Sequence, residues 1–221
     1  MISVVIPALN AAAMIGEAVT RLRSDLIREI IVVDGGSEDG TAGVARDAGA
    51  RVIESPPGRG PQLAAGADAA EGEWLLFLHA DTRLGPGWEP EVAAFLGHPN
   101  NRLRGAVFTF VLDDDAPAAR RLERIVAWRT ANLRLPYGDQ GLLIHRALYR
   151  SVGGYAPLPL MEDVDFVRRL HGRFAIFTTP AITSAERYRR DGYLLRSARN
   201  LLCLSLFLLG VEPGFLVKLY K

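Results

Sequence analysis

Four polar features of this 221-residue chain have the residue types and positions to do chemistry. Asn10 follows Pro7 and Ala8 at the end of an apolar run. Asp34 ends a second run, Ile31-Val32-Val33. His79, Ala80 and Asp81 close a third, Trp74 to Leu78, and Glu162-Asp163 opens a helical pattern. Carboxylates so placed can accept hydrogen bonds from a ligand, hold a hard cation or take a proton. Ligands of open parallel sheets bind at the carboxyl ends of the strands, where three of these features fall. One carboxylate at a strand end is ordinarily a loop or cap residue; several on one edge point to a site.

The elements that would carry them alternate over the first hundred residues. Ile2 to Ile6, Ile30 to Val33, Val52-Ile53 and Trp74 to Leu78 read as strands. Helical spacing runs through Met14, Ile15, Ala18, Val19 and Leu22, then Thr41 to Ala48 and Leu63 to Ala70. Near-continuous apolar strands alternating with helices predict an α/β fold whose mostly parallel central sheet is flanked by helices. The second half is less regular. Helical patterns cover Trp88 to Leu96, Pro117 to Asn132 and Asp163 to Leu170, and strands are expected at Ala106 to Leu112, Leu142 to Ile144 and Phe174 to Phe177.

Composition sets the outer bounds. Hydrophobic residues make up 49% and charged residues 23%, which excludes a mostly disordered chain or a collagen-like repeat. The single cysteine, Cys203, excludes an internal disulfide and a cysteine-built zinc site. A net charge of +1 gives no reason to expect nucleic acid as a partner. Met1 to Leu9 lacks a basic leader and breaks at Pro7, unlike a signal peptide. No apolar run reaches the roughly 18 residues of a spanning helix, so a cytoplasmic location is expected.

The motifs, taken in order, resemble those of family 2 glycosyltransferases of the GT-A fold. Val4-Val5-Ile6-Pro7-Ala8-Leu9-Asn10 is similar to their opening strand, and Ile31-Val32-Val33-Asp34-Gly35-Gly36-Ser37-Glu38-Asp39-Gly40-Thr41 to their second-strand motif. Gly72 to Asp81 looks like the strand leading into their DxD motif. Gly138-Asp139-Gln140-Gly141, Val152-Gly153-Gly154-Tyr155 and Met161-Glu162-Asp163 resemble their acceptor-side segment and ED motif. The likeness covers roughly residues 1 to 180 and implies a Rossmann-like GT-A sheet, a UDP-, GDP- or dTDP-linked sugar donor, Mn²⁺ or Mg²⁺, and inversion at the anomeric carbon.

On that resemblance Pro7, Ala8, Asn10, Asp34, Arg59, His79 and Ala80 border the nucleotide sugar. Asp81 and His79 hold the metal, which offsets charge on the departing diphosphate. Asp163 is the general base, with Glu162 orienting the acceptor, and Gly138, Asp139 and Gln140 border the acceptor. Plainer readings stand beside these. Asp34 suits a turn, Asp163 suits the first turn of any helix, Arg59 in Gly58-Arg59-Gly60 suits a flexible solvated loop, and Gly138 to Gln140 suit a simple turn. Gly35 and Ala11 depart from the Asp and Glu common in the family, and His79 replaces the first Asp of DxD, which opens the identity of the metal.

Residues 1–186 are thus expected to form the GT-A domain and 187–221 a basic, apolar helical tail. From Arg187 onward 7 basic residues meet 2 acidic ones. The tail suits contact with an anionic membrane surface on the cytoplasmic side, and with it a lipid-linked acceptor. It equally suits packing on the sheet or on a second copy as a homodimer. Two other classes of function compete: a non-catalytic nucleotide-sugar-binding or scaffold protein, motivated by Gly35 and His79, and a nucleotidyltransferase-like enzyme on a similar sheet. The latter needs a phosphate-binding glycine loop where this chain has Ala11-Ala12-Ala13.

Overall fold

The computed structural model describes residues 1–220. Its first part alternates β1 (Ile2–Ala8), α1 (Ala12–Thr20), β2 (Ile27–Asp34), α2 (Thr41–Asp47), β3 (Arg51–Glu54), α3 (Arg59–Ala69) and β4 (Trp74–Phe77). There follow β5 (Thr82–Leu84), α4 (Trp88–Leu96), β6 (Gly105–Leu112), α5 (Pro117–Trp128), β7 (Leu142–His145), α6 (Arg146–Ser151), α7 (Glu162–Arg169) and β8 (Phe174–Thr183). Three helices close the described chain: α8 (Glu186–Asp191), α9 (Tyr193–Leu208) and α10 (Pro213–Tyr220).

One sheet runs in the order β3-β2-β1-β4-β7-β6-β8-β5. Successive side chains on a strand face opposite sides. Val4 and Ile6 of β1 therefore pack with Ile15, Val19, Val92 and Phe95 on one face. Val5 packs with Leu63, Ala67, Tyr149 and Phe166 on the other. Burying one such Val or Ile contributes about 2 kcal/mol, so both faces demand apolar residues and no alternation appears in the central strands.

The sheet is mostly parallel, as expected, with only β7 and β5 reversed among its eight strands. β3, β2, β1 and β4 are parallel. β7 runs against both β4 and β6, and β5 runs against β8, while β6 and β8 are parallel. An apolar run reports burial but not direction, so the reversal at β7 leaves no mark in Leu142-Leu143-Ile144. The last strand is also longer than expected. The apolar run ends at Phe177 in sequence, and Pro180 sits just past an irregularity, where the β6–β8 register jumps between Val107 and Thr109. The Glu91 carboxylate accepts the Thr178 and Thr179 amides at 2.7 and 2.9 Å, satisfying the donors that the bulge frees.

The tail packs onto the rest of the chain. Cys203, Leu204 and Leu216 form a cluster with Leu160, Met161 and Val164 around the start of α7. Met161 has a φ of 64°, a left-handed conformation costing a non-glycine residue about 1–2 kcal/mol. Burial of its side chain in this cluster holds it there and sets the entry of Glu162 and Asp163 into the helix.

Candidate active site

The carboxyl edge of β1, β2 and β4 gathers the strand-end residues. The Asp34 carboxylate accepts the Ser37 amide at 3.1 Å and the Ser37 hydroxyl. The Asn10 amide donates to Ser37 Oγ at 2.9 Å, and Asn10 Oδ1 accepts the Glu38 amide at 3.0 Å. The loops after β1 and β2 are thereby stapled together, which is why Asn10 tolerates a φ of 50°. Pro7 and Ala8 are buried in the sheet, and the Ala8 carbonyl accepts both the Gly35 amide and Gln62 Nε2. Gly35 follows from this packing: a Cβ there would lie 3.0 Å from Gln62 Nε2.

Arg59 is not in a flexible loop as expected; it is the first residue of α3, held against the first residue of α7. Its Nε lies 3.6 Å from Glu162 Oε1, an ion pair too long for a hydrogen bond. Burial opposes the Arg59 charge, but Glu162, Tyr220 and Asp163 more than offset it, so its guanidinium is held more firmly protonated than usual. Glu162 is buried with neither carboxylate oxygen hydrogen-bonded. Burial pushes it up to about 7 against the pull of Arg59.

Asp163 is bound at both oxygens. The Gly138 amide donates to Oδ2 at 2.7 Å and the Val164 amide to Oδ1 at 2.7 Å. The carboxylate so ties the loop before β7 to the start of α7. A Cβ on Gly138 would stand 2.7 Å from His79 Nε2 and 3.4 Å from Asp163 Oδ2, so only glycine admits this approach. His79 is pushed down to about 4 by burial, with the Arg59 charge acting in the same sense, and its imidazole is neutral at physiological pH. Asp139 is pushed up to about 6, first by burial, and its Oδ1 has no partner. Gln140 faces inward: it accepts from Thr130 Oγ1 at 2.9 Å and donates to the Phe108 carbonyl at 3.1 Å. It holds the loop, leaving Asp139 to face the cavity.

That cavity, about 560 Å³, is lined by Arg59, His79, Asp81, Asp139, Glu162 and Asp163 at its polar end. Asp34 and Asn10 lie outside it. Arg187, Arg129 and Tyr220 are among the lining residues that the sequence did not point to. Arg187 in α8 was visible only as part of the tail charge. Arg129 sits in a π-turn after α5 with its guanidinium 3.4 Å over the Tyr137 ring, and Tyr220 comes from the last helix. Their distance along the chain from the motifs gave no signal of proximity.

Asp81 fits a hard cation. Its hydrogen bond, from Thr82 Oγ1 at 3.4 Å, is long, and the neutral His79 lines the same cavity. Among the described residues no cluster of three or more His, Cys, Asp or Glu side chains could hold a metal alone. A cation at this place would therefore draw its remaining ligands from a substrate diphosphate or water, as Mg²⁺ commonly does.

A parallel nucleotide-type half-sheet, a mixed second half and carboxylates at their shared edge define the GT-A fold. The chain belongs to glycosyl transferase family 2, whose model matches residues 3–151. It is 29% identical over 194 residues to a PGL/p-HBAD biosynthesis glycosyltransferase of Mycobacterium bovis, covering 80% of this chain and 72% of that protein. A crystal structure of a mycobacterial protein aligns at 27% identity with a TM-score of 0.59, and this chain spans 65% of its length. Glucosyl-3-phosphoglycerate synthase from Mycobacterium tuberculosis, solved with Mn²⁺, UDP-glucose and phosphoglyceric acid, aligns at 25% identity and TM-score 0.57, covering 80% of this chain and 68% of that one.

Proposed function

We propose that this protein transfers one sugar, with inversion, from a nucleotide-sugar donor to a hydroxyl or lipid-phosphate acceptor. The observation that carries the reading is the convergence of Asp163, His79 and Asp81 in one cavity, with Gly138 packed against the first two. The acceptor oxygen attacks the anomeric carbon from the side opposite the diphosphate. The new C–O bond forms as the bond to phosphate breaks, and the nucleoside diphosphate leaves with the electron pair. Asp163 takes the acceptor proton, its carboxylate aimed by the Gly138 and Val164 amides. Glu162, buried and unbonded, has lone pairs to offer a sugar or acceptor hydroxyl, and Arg59 keeps it in place. Asp34 and the loop of Asn10 border the nucleoside, and Arg187 faces the diphosphate. Mn²⁺ or Mg²⁺ at Asp81 and His79 would neutralise charge on the leaving diphosphate; the Mn²⁺ and UDP-glucose held by the synthase relative support this assignment.

Residues 1–186 form the transferase domain on this reading and 187–221 the tail, whose described residues brace the helix of Glu162 and Asp163 while leaving an apolar face for a membrane surface or a second copy. No helix among the described residues is long and apolar enough to cross a membrane. A peripheral site on the cytoplasmic face agrees with the basic tail. The test is release of free nucleotide from UDP-, GDP- or dTDP-sugars with Mn²⁺, together with thermal stabilisation by the same nucleotides. One of the three is expected to give both signals. If no nucleotide stabilises the protein with either metal, the donor assignment fails.

A further inference from the structure

The cavity does not stop at its polar end. Away from Asp163 it continues as an apolar groove between α5 and α9, walled by Leu122, Ile125, Trp128, Leu194, Leu201 and Leu204. Much of this wall is open to solvent: Ile125 is 62% exposed, Trp128 58%, Leu194 89% and Leu201 63%. Contiguous apolar surface of this kind marks a binding face. Arginines frame it. Arg121 precedes Ile125 by one helical turn, Arg124 precedes Trp128 by one, and Arg187 lines the cavity. Among the described residues these three show no ion pair to a carboxylate, whereas neighbouring Arg120, Arg189 and Arg190 do. At the inner end the Glu162 oxygens are buried without a hydrogen-bond partner.

An occupant must therefore offer a hydroxyl at one end, an apolar body along the groove and negative charge near its rim. We propose that the groove takes the apolar chain of a lipid alcohol presented by an anionic bilayer, with the lipid hydroxyl reaching Asp163. The inference rests on the transfer reading above and names its acceptor. A second copy fits less well. An isologous pairing through this face would bring Arg121 and Arg124 toward their own counterparts and close the route to Asp163.

The test uses the full chain and two probes, dodecyl β-glucoside below its micelle concentration and methyl β-glucoside, read by tryptophan emission. Trp74 and Trp88 are buried, so Trp128 reports the groove. Binding of the dodecyl probe is expected with a blue shift, tighter than the methyl probe by about fourfold for each methylene buried. Sedimentation with phosphatidylcholine vesicles should occur only when phosphatidylglycerol is added. Ile125→Glu and Leu201→Glu, both at exposed positions, should weaken probe and vesicle binding by at least about tenfold, as expected when a charge replaces buried apolar area. Thermal stabilisation by nucleotide and metal serves as the control for fold and donor site in both variants. Equal affinity for the two glucosides overturns the proposal, as does chain binding that ignores Leu201→Glu. A homodimer that Ile125→Glu splits makes a second copy the occupant and overturns it too. Any of these with nucleotide stabilisation intact sinks the lipid acceptor alone; loss of nucleotide stabilisation in the unaltered protein sinks the transferase reading itself.

Discussion

Arg59 and Glu162 begin two helices that lie more than a hundred residues apart in sequence, and Arg59 Nε stands 3.6 Å from Glu162 Oε1. The pair ties α3, which packs on β1 and β2, to α7, which carries Asp163. Tyr220 brings in a third element, the last helix, which lines the same cavity as this pair and helps hold the Arg59 charge.

Glu162 should make stability depend on pH. Its carboxyl is raised from 4.5 to about 7 by burial, so the folded state holds a proton that the unfolded state has lost over that window. The Glu162-linked stability is complete below pH 4.5 and declines as pH rises toward 7. The melting temperature of Glu162→Gln minus that of the parent should therefore climb through this range and flatten above it. The full change is on the order of 3 kcal/mol. A difference that stays level with pH would show that Glu162 is ionised throughout.

Gly138→Ala should strike the site more than the fold. The new Cβ meets His79 Nε2 at 2.7 Å, so the loop must withdraw from Asp163. Overpacking of this kind costs about 1–3 kcal/mol, while the misplacement should cut kcat by about a hundredfold. Urea unfolding and transfer kinetics, run side by side, separate the two effects.

His79 should decide the metal preference. A neutral imidazole suits Mn²⁺ better than Mg²⁺. His79→Asp should shift nucleotide-dependent stabilisation toward Mg²⁺, measured as the change in melting temperature at matched metal concentrations. An unchanged Mn²⁺ to Mg²⁺ ratio would remove His79 from the metal site.

The tail should prove necessary for the placement of α7. Leu216 is fully buried beside Met161 and Val164, and Leu216→Ala is expected to cost about 2–5 kcal/mol. Because the same cluster holds Met161 in its left-handed conformation, kcat should fall together with stability. A tail that served only as a membrane anchor would leave kcat on a soluble acceptor unchanged.

The N-terminal half of the fold was legible because burial on two faces writes itself as the apolar runs Val4 to Ile6, Ile31 to Val33 and Trp74 to Phe77. Their ends fixed where Asp34 and Asp81 had to stand. The second half was harder to read. β7 hides its direction, the apolar run of the last strand stops at Phe177 ahead of the irregularity, and β5 has only three residues. Asp139 and Gln140 are neighbours in sequence, yet one faces the cavity and the other braces the loop, a division that depends on Thr130 and Phe108. Arg187 and Tyr220 enter the site through the packing of the tail, a tertiary contact that no local pattern encodes.

The central claim is that Asp163 takes the acceptor proton, and Asp163→Asn tests it most directly. The amide keeps an oxygen able to accept from Gly138 but loses the basic carboxylate. Sugar transfer should fall by about 10²–10⁴-fold, the usual contribution of a general base, while stabilisation by nucleotide and metal stays at the parent level. Transfer at the parent rate, or donor binding lost in step with transfer, would contradict the assignment.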